Sequence, residues 1–138
     1  MQSISEIQKE ILEDFEMFEN WMQKYEYLID LGKELPPIDS KYKTDENLIK
    51  GCQSRVWLHA EKKDKKIVFS AESDAIMTKG IIALLIRVFS GQNGNDIAKS
   101  NLYFINEIGL KEHLSATRAN GLLSMIKQMK FYALALNK

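Results

Sequence analysis

The chain has one cysteine, Cys52, and two histidines, His59 and His113, as candidate reactive side chains. Cys52 stands between Gly51 and Gln53, after a turn-rich segment and just before a predicted strand. Glycine there permits turn geometry and leaves room for a second molecule, and loops often carry functional groups. A cysteine thiolate can attack a sulfur atom of another protein. We therefore predict a reactive thiol at a loop tip, against the alternative of a small buried apolar residue.

Cys52 lies within the heptapeptide 51–57, which reads Gly-Cys-Gln-Ser-Arg-Val-Trp. This string resembles the G-C-Q-S-x-V-W signature of the SufE family, which includes its relative CsdE. Because seven positions that include a cysteine and a tryptophan rarely coincide by chance, this motif is the specific part of the resemblance. Further similar positions follow in order along nearly the whole chain: Ser73-Asp74-Ala75, Lys79-Gly80, His113-Leu114-Ser115, Arg118, Asn120 and Gly121.

The resemblance implies a compact α+β fold shared with iron–sulfur scaffold proteins and a role as a sulfur acceptor. A partner cysteine desulfurase, similar to SufS or CsdA, would place sulfur on Cys52 as a persulfide and would itself be stimulated. A downstream iron–sulfur cluster scaffold would then receive the sulfur. Pyridoxal phosphate belongs to the partner, so we expect no cofactor here and a sulfur-transfer protein rather than a stand-alone enzyme. The supporting residues implied by the resemblance are Gly51, Gln53, Ser54, Asp74, Arg118 and Asn120.

Two charged residues in the similar segments also have a structural interpretation. Asp74 lies where a predicted hairpin meets a helix, so it either supports the site or acts as a helix cap or dipole partner. Arg118 lies near the start of the last predicted helix. If the fold brings its guanidinium close to Cys52, it would lower the thiol pKa or stabilise a persulfide; otherwise it forms a surface salt bridge.

Two other functions are compatible with the same residues. In a cysteine-dependent hydrolase or thiol peroxidase, His59 or His113 would activate Cys52. However, His59 on a strand is more typical of a packing or surface residue, and His113 of a bracing residue. In a non-chemical adaptor, the chain would regulate a desulfurase without using its thiol. One cysteine and two histidines are too few for a cluster scaffold or for a structural zinc site, which needs about four ligands.

The overall composition bounds the class of protein. With 138 residues, 45% of them hydrophobic and 28% charged, the chain predicts one globular domain spanning residues 1–138. The 19 Lys and Arg residues balance 19 Asp and Glu residues. This balance removes the basic field that non-specific nucleic-acid binding requires, so nucleic acid is not an expected partner. Both a monomer and a homodimer are compatible with the sequence.

Several features predict a cytoplasmic location. The N-terminal residues lack the basic start and apolar stretch of a secretion signal. The most apolar run, residues 80–89, contains Arg87 and is shorter than the roughly 20 residues of a membrane helix, so we expect no membrane association. A single cysteine cannot form an internal disulfide, and this suits a reducing compartment.

Helical periodicity dominates the N-terminal quarter of the chain. Ser3 and Glu6 have the spacing of a capping box, and apolar residues then recur every three or four positions. We expect Asn20 to divide this region into two helices, and Gly32 followed by two prolines to stop the second. The apolar stripe consists of Ile4, Ile7, Ile11, Phe15, Phe18, Met22, Tyr25 and Ile29.

Alternating apolar residues predict a β-hairpin directly after the cysteine. Residues 56–60 alternate with a period of two, residues 62–65 form a polar turn, and residues 67–71 repeat the alternation. Because a lone hairpin is only marginally stable, we expect it to pack against helices, together with a third short strand that the pattern does not locate. The bulky side chains of Val56 and Trp57 are expected to shield the thiol from stray thiols and oxidants.

Three further helices complete a predicted α+β fold, in which a small antiparallel sheet packs against several α-helices. Ser73 is the predicted cap of a central buried helix. A break at 91–95 precedes a short helix at about 102–108, which ends at Gly109, and a last helix begins near Ser115. The apolar stripes of the first and last of these helices consist of Ile76, Met77, Gly80, Ile81, Leu84, Leu85 and Val88, and of Leu122, Ile126, Met129, Ala133 and Leu136.

Overall fold

Residues 2–137 are described by the computed structural model, and they form six α-helices and a three-stranded antiparallel sheet. The helices are α1 (Ile4–Glu16), α2 (Trp21–Glu34), α3 (Ile76–Phe89), α4 (Gly94–Lys99), α5 (Tyr103–Ile108) and α6 (Ala116–Leu136). The strands are β1 (Val56–Lys63), β2 (Lys66–Ser73) and β3 (Gln92–Asn93), and short 3-10 turns span Ser40–Tyr42, Asp45–Asn47 and Lys111–His113. The predicted α+β class is confirmed.

The predicted hairpin is present. β1 and β2 pair in antiparallel register, beginning with Val56 opposite Ser73. The two residues between the strands, Asp64 and Lys65, have φ angles of 50° and 69°. A two-residue type I′ turn requires this left-handed conformation, and its twist matches that of the strands. The buried face of the hairpin is apolar, as the alternation predicts, and carries Val56, Leu58, Ile67, Phe69 and Ala71.

The third strand is the part of the sheet that the sequence does not locate. β3 pairs with β2, placing Gln92 opposite Ile67, so the strand order is β1-β2-β3. The break predicted at 91–95 contains this strand and the start of α4, which was not predicted. A two-residue strand has no alternation to detect. In the structure α4 has a side-chain cap, because the Asn93 side chain accepts a hydrogen bond from the Asn95 amide at 2.8 Å.

The predicted helix starts at the N-terminal end are confirmed. The Ser3 hydroxyl accepts from the Glu6 amide at 3.1 Å, and the Glu6 carboxylate accepts from the Ser3 amide at 3.1 Å. Asn20 caps α2 by accepting from the Gln23 amide at 3.0 Å. Met22 was wrongly included in the buried stripe, since it is 66% exposed. The interruption at Asn20 shifts the phase, so the apolar face of α1 does not continue through the first turn of α2.

The predicted stop of α2 before the two prolines is confirmed, but Gly32 is not the residue that ends the helix. Gly32 lies inside the helix, which ends at Glu34 before the two prolines. A Cβ atom on Gly32 would lie 2.8 Å from the Gly80 nitrogen, and one on Gly80 would lie 2.2 Å from the Leu28 carbonyl oxygen. The two glycines therefore allow the backbones of α2 and α3 to cross in direct contact.

α3 is the central helix, as predicted, and most of its side chains are buried. Ile76 is an exception to the predicted stripe, since it is 67% exposed. It is the first residue of α3, at the solvent-exposed end of the helix. The residues that fill the core along this helix are Ile81, Ile82, Leu84, Leu85, Val88 and Phe89.

The last two predicted helix boundaries are also confirmed. Gly109 ends α5 in the left-handed conformation, with φ of 80°. Ser115 caps α6, because its hydroxyl accepts from the Arg118 amide at 3.3 Å. Ile126 and Leu136 of the predicted stripe are only partly buried against the core. The fully buried face of α6 consists of Gly121, Leu122, Met125, Met129 and Ala133.

A Gly80→Ala substitution tests the close crossing of α2 and α3. Alanine normally stabilises a helix interior by about 0.8–1.0 kcal/mol relative to glycine. Here the added methyl group would lie 2.2 Å from the Leu28 carbonyl oxygen, so we expect a net destabilisation of about 1–3 kcal/mol. Urea unfolding followed by circular dichroism measures the change. A higher urea midpoint in the variant would contradict this description of the crossing.

Candidate functional site

The loop that carries Cys52 is closed at its base. The Ile49 amide donates to the Val56 carbonyl oxygen at 2.9 Å, and Leu48 forms an isolated β-bridge with Trp57. Cys52 lies between these two anchored ends and is half-buried. This placement agrees with the predicted loop tip in front of the first strand.

Gly51 lets this loop lie directly against α6, where Cys52 contacts Gly121. Gly51 has φ of 90°, a left-handed conformation, and a Cβ atom there would lie 2.5 Å from the Ser124 hydroxyl oxygen. On the other side of the thiol, the Cys52 Sγ–H donates to the Gly121 carbonyl oxygen at 3.6 Å. Glycine at position 51 is therefore required by both its backbone conformation and its contact with the helix.

Asp74 and Ser73 hold the chain that follows the cysteine. One Asp74 carboxylate oxygen accepts from the Arg55 amide at 3.1 Å, and the Asp74 amide donates to the Arg55 carbonyl oxygen at 3.3 Å. The Ser73 hydroxyl donates to the same carbonyl oxygen at 2.8 Å and accepts from the Ala75 amide at 3.2 Å. These bonds fix the exit of the Cys52 loop to the end of β2.

The predicted capping role of Ser73 is therefore wrong, and of the two alternatives for Asp74 the helix cap is not observed. Ser73 is the last residue of β2, because its strand pairing with Val56 continues to that position. The residue at the cap of α3 is Ala75, which has no side-chain cap bond, and the first turn of α3 contains no acidic residue. Asp74 supports the loop instead of the helix dipole.

Cys52 opens on a cavity of about 240 Å³ formed by three parts of the chain. The loop, the start of α3 and the first half of α6 contribute its walls. The lining residues are Cys52, Gln53, Ser54, Thr78, Ile81, Ser115, Thr117, Arg118, Gly121 and Met125.

The predicted supporting residues divide into three groups in the structure. Gln53, Ser54 and Arg118 line the cavity. Gly51 and Asp74 position the loop without lining the cavity. Asn120 does neither; it is exposed on α6 beside Gly121. The lining residues that lie outside the heptapeptide and the similar segments are Thr78, Ile81, Thr117 and Met125. Met125 was detectable in principle, since it lies one helical turn after Gly121 of the similar segment.

Arg118 reaches the cavity as an unpaired cation. No carboxylate of residues 2–137 lies within 4.0 Å of its guanidinium, so the alternative of a surface salt bridge is not observed. A lowering of the thiol pKa by Arg118, one of the alternatives that the sequence leaves open, is not observed in the resting chain. Burial raises the pKa of Cys52, because desolvation disfavours the thiolate. The resting thiol is therefore protonated near neutral pH.

The residues that surround the thiol are not the ones that the sequence predicts. Val56 and Trp57 are buried, but neither lines the Cys52 cavity. The Trp57 ring instead faces the Lys43 ammonium group at 4.8 Å. The large apolar side chains that line the cavity are Ile81 and Met125.

Both histidines have structural partners away from the cavity. The His59 ring stacks on Tyr42 at a centroid distance of 3.4 Å, and its Nε2 lies 2.9 Å from a Glu61 carboxylate oxygen. The His113 ring stacks on Trp21 at 3.8 Å, and its Nδ1 lies 2.9 Å from a backbone carbonyl oxygen. This arrangement supports the packing and bracing interpretations and gives Cys52 no imidazole base.

The described part of the chain has neither a metal-binding cluster nor a membrane-spanning helix. Within residues 2–137, no group of three or more His, Cys, Asp or Glu side chains is placed to hold a metal ion. No helix in the same part of the chain is long and apolar enough to cross a membrane.

The fold and the site define a small α+β domain that carries one thiol at a cavity, and comparisons identify its family. The model of the SufE family, described as an Fe-S metabolism associated domain, matches residues 9–133. An uncharacterized SufE-like protein of Rhizobium meliloti is 41% identical over 126 residues, which cover 88% of this chain and 90% of that protein. This chain therefore belongs to the SufE family, and the family domain places it in iron–sulfur metabolism.

Other relatives agree with this membership. SufE-like protein 1 of Arabidopsis thaliana, chloroplastic/mitochondrial, is 39% identical over 140 residues, which cover 99% of this chain but 38% of that longer protein. A solution structure of a hypothetical protein from Thermus thermophilus superposes with a TM-score of 0.78 over 94% of this chain and 95% of that one. Since these two chains are only 18% identical, this likeness shows the fold alone.

Alkylation of Cys52 tests the burial of the thiol. The thiolate is the reacting form, and burial raises the pKa of Cys52. We therefore expect iodoacetamide to react with the folded protein more slowly than with free cysteine, and the rate to reach half its maximum above the free-cysteine value of about pH 8.5. Unfolding in urea is expected to restore the ordinary rate. A half-maximal rate at or below about pH 8.5 in the folded protein would contradict the shielding.

Proposed function

We propose that this chain accepts sulfur as a persulfide on Cys52 from a cysteine desulfurase, stimulates that enzyme, and delivers the sulfur to an iron–sulfur cluster scaffold. The observation that carries the proposal is the position of the thiol. The one cysteine of a SufE-family chain lies on an anchored loop, half-buried, at a cavity that also contains an unpaired arginine. A residue placed for packing alone has no need of such a cavity.

In the proposed step, the Cys52 thiol loses its proton and its sulfur attacks the outer sulfur of the donor persulfide. A new S–S bond forms on Cys52. The S–S bond of the donor breaks, and its electron pair leaves with the donor cysteine sulfur, which takes up the proton. One sulfur atom moves between two thiols, so the step needs no external oxidant or reductant.

Positive charge near the loop supports an anionic intermediate. Arg118 lines the cavity, whereas Lys50 and Arg55, which also flank Cys52, are exposed and do not line it. A cation close to a sulfur anion favours the charged form, while burial of the resting thiol opposes it. We infer that partner binding is needed to release the proton, so the isolated chain remains protected from stray electrophiles.

The proposal assigns the remaining chemistry to other proteins. The partner's pyridoxal phosphate extracts sulfur from cysteine, and this chain needs no cofactor for the transfer. A cytoplasmic location, where thiols stay reduced, belongs to the same proposal. Both a monomer and a homodimer can carry the sulfur on Cys52.

The rival functions differ in what they require of the site. A hydrolase or peroxidase would need a base beside Cys52, and His59 and His113 are both engaged elsewhere. An adaptor would need only the surface of the chain, and it predicts that a variant without the thiol stimulates the desulfurase fully.

Substitution of Cys52 tests the proposal directly. After incubation with a cysteine desulfurase and cysteine, we expect intact-mass spectrometry to show one added sulfur on the wild-type chain and none on Cys52→Ser, because a hydroxyl cannot form a persulfide. Cys52→Ser is expected to fold and to bind the desulfurase as the wild type does. Sulfur retained by Cys52→Ser would overturn the acceptor role, and full stimulation by Cys52→Ala would favour the adaptor.

Arg118→Ala tests the role of the unpaired cation. We expect the rate of sulfur transfer to fall by roughly tenfold, equivalent to about one pKa unit of lost anion stabilisation, while the free energy of unfolding changes by less than about 0.5 kcal/mol. Lysine is expected to restore the rate only partly, because it lacks the planar fork of arginine.

A matched control for this experiment is Arg55→Ala. Arg55 is also an exposed arginine near Cys52, but its side chain does not line the cavity. The transfer rate, the pH dependence of Cys52 alkylation and the urea midpoint are to be measured for both variants. If Arg118→Ala and the wild type transfer sulfur at the same rate, Arg118 has no role in the transfer.

A further inference from the structure

Thr78 differs from the other buried polar residues of the described chain. Four polar residues are buried there: Gln8, Ser73, Thr78 and Gln92. Gln8 bonds to the backbone of Asn101 and Phe104, Ser73 to Arg55, and Gln92 to Gln2. Thr78 as a residue is 7% exposed, yet its hydroxyl has no hydrogen-bond partner among residues 2–137.

Thr78 is also a lining residue of the Cys52 cavity. No fully enclosed side-chain nitrogen or oxygen of the described residues lacks a partner. The Thr78 hydroxyl, which bonds to none of these residues, is therefore not fully enclosed. A hydroxyl that no protein group engages is free to donate a hydrogen bond to a ligand in the cavity.

The resting contact of Cys52 indicates which ligand this is. The protonated thiol donates to the Gly121 carbonyl oxygen at 3.6 Å. A persulfide anion cannot donate, and a carbonyl oxygen repels it. The anion therefore needs a donor on another wall of the cavity. Thr78 on α3 is a neutral donor that has no competing partner among the described residues.

The cavity also has the room that the added sulfur requires. A persulfide extends the side chain by one S–S bond of about 2.05 Å. The cavity measures about 240 Å³, while one water molecule in the liquid occupies about 30 Å³. The terminal sulfur can therefore enter the cavity without displacing its walls.

We propose that the Thr78 hydroxyl donates a hydrogen bond to the terminal sulfur of the Cys52 persulfide and holds that sulfur inside the cavity. This assignment rests on the proposed function, since it requires a persulfide on Cys52. It makes Thr78 a positioning group for the loaded state. In the unloaded state the hydroxyl has no hydrogen-bond partner among residues 2–137, so no protein group competes with the sulfur for it.

Thr78→Val distinguishes this role from a structural one, because a structural role predicts a lower urea midpoint and the proposed role does not. Valine has the shape of threonine without the hydroxyl, and removing an unpaired buried hydroxyl is expected to leave the urea midpoint unchanged or to raise it. The same change removes the bond to the persulfide. Hydrogen bonds to charged groups are strong enough that we expect the lifetime of the persulfide in the presence of dithiothreitol to fall by about tenfold or more. Thr78→Ser is expected to recover most of that lifetime.

The experiment loads the wild type and the variants with a cysteine desulfurase and cysteine, removes both, adds dithiothreitol and follows the added sulfur by intact-mass spectrometry. Thr44→Val is the matched control, because Thr44 is exposed and its hydroxyl makes no cap bond. A wild type that gains no sulfur on Cys52 would overturn the proposed function itself. If the wild type loads, an unchanged persulfide lifetime in Thr78→Val, or a lowered urea midpoint, would overturn the role of Thr78 and leave the acceptor function standing.

Discussion

The close contact between the Cys52 loop and α6 is the constraint on which the site depends. A Cβ atom on Gly121 would lie 3.5 Å from the Cys52 Sγ, and one on Gly51 would lie 2.5 Å from the Ser124 hydroxyl oxygen. A Cβ atom at position 121 would make only ordinary van der Waals contact, so Gly51 is the residue that lets the loop lie on the helix, where the thiol is half-buried. Its raised pKa and its access to a shared cavity both follow from this position.

The rest of the fold serves to bring distant segments to this contact. The closed base at Ile49 and Val56 and the bonds between Asp74 and Arg55 fix both ends of the loop. The close contact of α2 and α3 at Gly32 and Gly80 sets the position of α3. The first turns of α3 supply one wall of the cavity. The site is therefore assembled by three elements that lie far apart in sequence, and no single motif contains it.

This assembly explains how much the sequence can predict. Local patterns locate the hairpin, the caps at Ser3, Asn20 and Ser115, and the exposed loop of Cys52, because each depends on neighbouring residues. The position of Thr78 at the site cannot be predicted from the sequence. On an apolar helix it resembles any other core residue, and only the fold shows that it lines the Cys52 cavity. Asn120 shows the converse: successive residues on a helix point about 100° apart, so it faces away while Gly121 contacts the thiol.

The cavity offers the sulfur two chemically opposite surroundings. The Gly121 carbonyl oxygen accepts a hydrogen bond, which suits a protonated thiol. Thr78 and Arg118, which also line the cavity, can only gain from an acceptor or an anion, since neither is otherwise paired within residues 2–137. Loss of the proton from the sulfur would therefore change which of these groups it contacts favourably. If Thr78 and Arg118 act as proposed, slow reaction of the resting thiol and retention of the sulfur anion are two consequences of one arrangement, in which burial protects the thiol and the donor groups hold the anion.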